Sequence, residues 1–301
     1  MNKWPSLKQL HYLITLHETR HFSEAAARCF VSQSTLSKGI QNLEALIGCP
    51  LYEKQDKKSP LVFTHAGELV VKRGRELLAK GKDLLELGQQ CQNGPMEGQL
   101  KLGCIPTIAP FLLCDLVQEL NIRYPKLHLL LREDTTAHLL HALRLGELDV
   151  LILALPIDIG QMESRIVGRD PFRMVISRQQ ADGIRVPIKY DDLPDESVFL
   201  LEHEHCLTEH AVSACQLTDK EKINPFTATS LHTLVQMVAN GLGTTFIPQM
   251  AIDHGLLENQ NLVVIDPPGQ QAYREIGLVW RPSSSRHLTF EQLADVVAEL
   301  L

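Results

Sequence analysis

The sequence predicts a chain of α+β and α/β character: an N-terminal winged helix-turn-helix, a long linker helix, and a C-terminal α/β body. Three observations predict it. Residues 1–65 carry three closely spaced helical patterns and then two short apolar runs around a basic turn. A single helical pattern follows over residues 67–91. Beyond it, strand and helix signals alternate to the C-terminus. A chain of 301 residues, 44% of them hydrophobic, is long enough for two or three domains with sizeable cores.

The first helix is written in LKQLHYLITLHET, where Leu7, Leu10, Leu13, Ile14 and Leu16 gather on one side. In HFSEAAARCF, Ser23 is the expected N-cap of the second helix. In VSQSTLSKGIQNLEALIG, Ser32 is the expected N-cap of the third, and Leu36, Ile40 and Leu43 recur at helical spacing. The short link between Cys29 and Ser32 fits the turn of a helix-turn-helix. The third helix is polar at its start, with Gln33, Ser34, Ser37 and Lys38, and apolar behind. That polarity suits base edges and phosphates in a major groove, although a plain surface helix carries it too. Residues 51–54 and 61–64 read as a hairpin with Lys54, Lys57 and Lys58 at its tip, a wing able to touch phosphate.

The linker helix carries Val70, Gly74, Leu77, Gly81, Leu84, Gly88 and Cys91 on one stripe. Each interior glycine costs about 1 kcal/mol relative to alanine, so close helix–helix approach is the expected compensation. QNGPMEGQ then marks a hinge near residues 92–98.

In the C-terminal body, strands are expected at 99–105, 127–132, 150–155, 174–177, 197–201, 244–247 and 275–280, with helices at 111–123, 137–145 and 231–240. The alternation predicts a mostly parallel sheet. Ligands in such folds meet strand C-termini and helix N-termini at a cleft, where Thr107, Thr135 and Thr136 are placed, although a threonine there is also a common helix cap.

The net charge of −7 is unevenly spread. Residues 1–95 hold thirteen lysines and arginines against nine acidic residues; residues 96–301 hold sixteen against twenty-seven. A mildly basic N-terminal part on an acidic body points to a nucleic-acid contact. No apolar run approaches a transmembrane helix, and MNKWPSLKQLHYL has no signal-peptide core, so a cytoplasmic location and no membrane partner are expected. Seven cysteines exclude a complete disulfide framework.

LLEHEHCLTEHAVSAC concentrates histidine and cysteine. His203, His205, Cys206 and His210 are irregularly spaced, with no CxxC or HxxxH pair within the stretch to fix a tetrahedral site, so no metal and no cofactor are expected. Two inert core thiols are one reading and a redox pair is another. If residues 207–215 are helical, nine positions place Cys206 and Cys215 about 13 Å apart along the axis and about 180° apart around it. A disulfide needs Cα atoms within about 7 Å, so oxidation of this pair would have to remodel the helix. A preceding histidine and a helix N-terminus at Cys206 would both favour its thiolate.

FSEAAARCFVSQSTLSKGIQNLEALIGCPLYEK and FTHAGE together resemble the N-terminal domain of LysR-type transcriptional regulators. LLEHEHCLTEHAVSAC, GCIPTIAPFLL, RLGELDVLILALP, TLVQMVANGLGTTFIP and REIGLVWRPSSS are similar to the OxyR-type peroxide-sensing branch of that family, so the likeness covers nearly the whole chain. The resemblance implies a DNA-binding domain over 1–65, a dimerisation linker over 66–96 and a periplasmic-binding-protein-like regulatory domain over 97–301. Its two subdomains would hold 97–170 with 272–301, and 171–271. It also implies Cys206 as peroxidatic and Cys215 as resolving thiol, with Thr107, Thr136, His205 and Arg274 around the peroxide. Ser32, Gln33, Ser34, Ser37, Lys38, Lys57 and Lys58 would meet duplex DNA. The implied partners are double-stranded DNA, hydrogen peroxide as signal, a second copy or a homotetramer, RNA polymerase and a cellular thiol reductant. The chain is expected to be a regulator and not an enzyme. Cys104 and Cys114 depart from that pattern and stand as core residues or as competing thiols. Two other readings compete: a LysR regulator of a small metabolite, and a thiol peroxidase.

Overall fold

The computed structural model describes residues 4–53, 61–90, 94–181, 193–202, 206–217, 219–267 and 272–301. The chain separates into two compact units, Met1–Gln92 with Arg144–Glu147, and Asn93–Leu143 with Leu148–Leu301.

In the first unit, α1 (Leu7–Thr19) begins at a capping box. The Ser6 hydroxyl accepts from the Gln9 N–H, and the Gln9 side chain accepts from the Ser6 N–H. α2 (Phe22–Arg28) follows a left-handed turn at Arg20, φ 53°. Ser23 is not its cap: the helix starts one residue earlier, His21 precedes it without a side-chain cap, and the Ser23 hydroxyl donates to Gln33 Oε1 at 3.3 Å. α3 (Gln33–Ile47) starts at Ser32, whose hydroxyl accepts from the Thr35 N–H at 3.2 Å, as the sequence predicts. Leu10, Leu13 and Leu16 close on Ala25, Ala26, Leu36, Ile40 and Leu43 to form one core. Of the expected hairpin, Tyr52 pairs antiparallel with Phe63; the tip with Lys54, Lys57 and Lys58 lies outside the described residues.

α4 (His65–Gln90) is the linker helix, and two of the three glycines on its stripe face α1 of the same chain. A Cβ on Gly74 would meet Leu10 and Ile14, and one on Gly81 would meet Leu7, so both serve the approach of α1 in the same chain; Gly88 has nothing within 4 Å. Leu77 and Leu84 of the stripe are exposed, and with Leu69 and Leu87 they lie within about 80° of one another around the helix; Leu85, also exposed, lies farther round. Cys91 lies outside the described residues.

The second unit is one nine-stranded sheet flanked by helices. Its elements are β1 (Gly98–Cys104), α5 (Ala109–Arg123), β2 (Leu127–Glu133), α6 (Thr136–Arg144), β3 (Val150–Leu155), β4 (Glu163–Ser177) and α7 (Arg178–Ala181). Then come β5 (Val198–Leu201), α8 (Cys206–Ala214), β6 (Ile223–Ala228), α9 (Leu231–Ala239), β7 (Thr244–Pro248), α10 (Gln249–Asp253), β8 (Leu262–Ile265), β9 (Tyr273–Trp280) and α11 (His287–Leu300). The order is β2-β1-β3-β9-β4-β7-β5-β6, with β8 beside β4. Every residue of β3 is buried, as expected of a run, VLILAL, with no polar member.

The sheet is mixed, not mostly parallel. β1 runs parallel to β2 and β3, and β5 to β6 and β7, but β3–β9, β9–β4, β4–β7 and β4–β8 are antiparallel. The parallel expectation missed the length of β4. This 15-residue strand pairs with β9 over its first part and with β7 and β8 over its last residues, and each of these central pairings is antiparallel. β6 and β8 were not expected: β6 has no fully buried residue before Ala228, and β8 is only four residues long.

One glycine of the first unit has no tolerance for a side chain. A Cβ on Gly67 would stand 1.9 Å from the Leu51 carbonyl oxygen. Gly67→Ala should therefore destabilise this unit by about 1–3 kcal/mol through overpacking, read as a lower midpoint in thermal denaturation followed by far-UV circular dichroism.

Candidate functional site

The site is assembled by strand register. Asp170 on β4 stands directly opposite Arg274 on β9. Asp170 Oδ2 accepts from Arg274 Nε at 3.0 Å and lies 2.9 Å from Nη2. The guanidinium then donates from Nη1 to the Thr107 hydroxyl at 2.8 Å and from Nη2 to the Thr107 carbonyl at 2.9 Å. The second Asp170 oxygen accepts from the Met250 N–H, the start of α10, at 2.9 Å. All three side chains are buried, with Arg274 only 1% exposed. Thr107 is thus not a helix cap; it lies in the β1–α5 turn and holds the arginine. Its oxygen accepts the Arg274 bond, so its own hydrogen is left to donate.

Cys206 is the first residue of α8 and Cys215 follows its last; both are buried thiols. The Cys215 N–H still donates to the Ala211 carbonyl at 2.9 Å, so the helical path runs unbroken from one cysteine to the other. They therefore sit about 13 Å apart along the axis, beyond bridging distance. Beside Cys206 lies Thr136, at the start of α6. Its hydroxyl is buried and has no hydrogen bond of ordinary length and angle, yet it stands close enough to the thiol to favour the thiolate.

The sequence pointed to a favoured thiolate at Cys206, and the structure reverses that. Burial is the largest influence and pushes the thiol up; Thr136, Arg274 and the Cys206 N–H oppose it without overcoming it, and Glu209 adds to the rise. Cys104 is likewise buried, held up by burial and by Glu133, with its Sγ 3.7 Å from the Ile105 carbonyl, and behaves as a core residue; Cys114 is exposed on α5. Among the described residues no group of three or more His, Cys, Asp and Glu side chains is arranged to hold a metal ion. His203 and His205 lie outside the described residues.

The structure therefore brings Thr107, Thr136, Cys206 and Arg274 into one neighbourhood and leaves Cys215 at the far end of α8. Sequence reasoning missed Asp170 and His210. Asp170 is separated from its partner by 104 positions, and no local motif marks it. His210 was read only as a metal candidate; its Nε2 bonds the Pro156 carbonyl at 3.0 Å.

In the first unit, Gln33, Ser34 and Lys38 are exposed at the front of α3, Ser37 is half-buried, and the Ser32 hydroxyl is engaged with Thr35 and Ser34. Lys57 and Lys58 lie outside the described residues.

The sequence matches the family described as bacterial regulatory helix-turn-helix protein, lysR family, over residues 7–68 and the LysR substrate binding domain over residues 93–301. It is similar to the HTH-type transcriptional regulator EstR of Acinetobacter baylyi, 38% identical across 98% of this chain and 97% of that one. It is also similar to the hydrogen peroxide-inducible genes activator of Dickeya chrysanthemi, 36% identical across 98% of this chain and 95% of that one. Among solved structures, the reduced regulatory domain of OxyR2 from Vibrio vulnificus is 84% identical over 68% of this chain and 97% of that one, with a TM-score of 0.68.

The burial of Cys206 sets a pH dependence. With its thiol raised above the ordinary value of 9.0, alkylation of the native protein by iodoacetamide should still climb roughly tenfold per pH unit between pH 7 and 9. It should also be slower than alkylation of the same cysteine in the urea-unfolded chain, measured by mass spectrometry of the Cys206 peptide.

Proposed function

The chain belongs to the LysR-type transcriptional regulators, related to the OxyR peroxide sensors, and from that premise we propose that it reports hydrogen peroxide through reversible Cys206–Cys215 disulfide formation. The observation that carries this reading is the grouping of a buried thiol with an unpartnered hydroxyl, Thr136, and an arginine already bonded to Thr107. A peroxide between them would find donors in Thr136, Thr107 and Arg274 and a nucleophile in Cys206; His205 joins the proposal through the family likeness.

The chemistry runs in two steps. The Cys206 thiolate attacks one peroxide oxygen, the S–O bond forms, the O–O bond breaks, and hydroxide leaves against the Arg274 charge. Sulfur is oxidised to sulfenic acid and peroxide is reduced to water. The Cys215 thiolate then attacks the sulfenic sulfur, the S–S bond forms, and the S–O bond breaks with loss of a second hydroxide. A cellular thiol reductant reverses the bridge.

The N-terminal unit binds double-stranded DNA. In this proposal 1–65 is the DNA-binding domain, 66–96 the dimerisation linker, and 97–170 with 272–301 and 171–271 are the halves between which the signal moves. Ser32, Gln33, Ser34, Ser37 and Lys38 face the major groove, and Lys57 and Lys58 meet phosphate. Leu69, Leu77, Leu84 and Leu87 of α4 supply the face for a second copy, as a dimer or within a tetramer. RNA polymerase is the downstream partner.

One equivalent of peroxide, followed by alkylation and peptide mass spectrometry, tests the switch. The wild type should yield a linked Cys206–Cys215 peptide, and Cys206→Ser should yield none while keeping reduced-state DNA binding. If Cys206 stays fully alkylated while other cysteines oxidise, a metabolite-responsive regulator takes precedence; sustained peroxide turnover with a reductant would instead favour a thiol peroxidase. For the DNA contact, Lys38→Ala should weaken binding across all sequences and lower the slope of log affinity against log salt by about 1 in a gel-shift series.

A further inference from the structure

His210 lies one helical turn beyond Cys206, on the same face of α8. Its Nε2 sits 3.0 Å from the carbonyl oxygen of Pro156, in the segment that leaves β3. A carbonyl only accepts, so Nε2 carries the proton and Nδ1 is a bare lone pair. Nδ1 is buried and has no partner. The bond thus ties α8, which follows β5 in one part of the sheet, to a strand from the other part. A second bond of this kind, from the Thr208 hydroxyl to the Leu201 carbonyl at 2.7 Å, stays beside its own strand.

We propose that His210 is the latch that sets the rate of disulfide closure: the helix between the two cysteines cannot unwind until the His210–Pro156 bond parts. The proposal rests on the Cys206–Cys215 reading above and adds to it a positioning residue that does not touch peroxide. The latch acts on the second chemical step alone. Sulfenic acid forms at Cys206 while α8 is docked, whereas Cys215 reaches it only after α8 lets go.

The ring is built to be neutral. Burial holds its pKa below the ordinary 6.5, Arg274 of β9 also lowers it, and the Pro156 carbonyl and Glu209 of α8 raise it less. Tyr273 and Glu275 of β9 line the same cleft, and Leu155 and Pro156 bring no charge. Protonation would add an N–H at Nδ1, where no acceptor waits. The sign follows: docking of α8 is at full strength above pH 6.5, and weakens as pH falls from there toward the lowered value, because undocked His210 takes the proton first.

The test separates the two steps in the full-length chain. Sulfenic acid is trapped with dimedone, and the disulfide is followed by quenched-flow alkylation and mass spectrometry. His210→Ala should leave sulfenic acid formation within twofold of wild type and speed disulfide closure about two- to tenfold, the worth of one net hydrogen bond. His210→Gln, whose amide N–H can donate to the Pro156 carbonyl, should bring closure back toward the wild-type rate. The ratio of His210→Ala to wild-type closure rates, in which thiol titration cancels, should shrink toward one as pH falls below 6.5. Equal closure rates in wild type and His210→Ala overturn the latch while leaving the disulfide reading intact. Equal acceleration by Ala and Gln, or a pH-independent ratio, makes His210 a packing residue and overturns it too. If the wild type forms no disulfide at all, the switch itself fails and the latch falls with it.

Discussion

The Arg274–Asp170 pair is the constraint around which the regulatory unit is organised. Two opposite charges removed from water are tolerable only when paired and hydrogen-bonded. Here four elements meet on them: β9 supplies the arginine, β4 the carboxylate, the β1–α5 turn presents Thr107, and α10 offers the Met250 N–H. The pairing also checks strand register. A slip of one residue between β4 and β9 would turn Arg274 to the other face and strand a buried charge. The same arginine lies near enough to Cys206 to oppose the effect of burial on its thiol, so the feature that fixes the fold also shapes the surroundings of that cysteine.

Burial of Cys206 has two opposing consequences. It lowers the thiolate fraction, which slows reaction, and it hides the thiol from bulky oxidants. A small, uncharged oxidant suffers least from this exclusion. Thr136, Arg274 and the helix N-terminus return part of the thiolate that burial removes, and they do so with donors that a peroxide can also use. Selectivity in such a site comes more from access and from waiting donors than from a permanently ionised cysteine.

Much of this was legible in the sequence. Apolar spacing in α1, the Ser32 cap of α3 and the wholly apolar β3 follow from local pattern, and the structure places them where that pattern puts them. The start of α8 at Cys206, and hence the separation of the two thiols, was equally readable. What failed was long-range. The antiparallel pairing of β4 depends on partners up to 117 residues away, as in the Trp280–Glu163 bond, and no window of sequence contains both. Asp170 was invisible for the same reason. Gly74 and Gly81 of α4 are the close-approach positions that their spacing suggests, but the neighbour is α1 of the same chain, and Gly88 approaches nothing within 4 Å. Periodicity names the face of a helix and not what covers it. At Cys206 the error was one of medium: neighbours in sequence suggest a stabilised thiolate, whereas the depth of burial, which only the fold sets, decides the sign.

α8 is nine residues long. An isolated helix shorter than about 12–15 residues is marginal in water, since its few backbone bonds barely repay nucleation. This helix is therefore a product of docking: Leu207, Thr208, His210 and Ala211 hold it against the sheet, and its own ladder adds little. There is no stage at which it floats free yet stays coiled. Letting go and losing shape are one event with one barrier, so docking and helicity are gained or lost together. Brevity, which would look like weakness in a scaffold element, here makes the helix an all-or-none element.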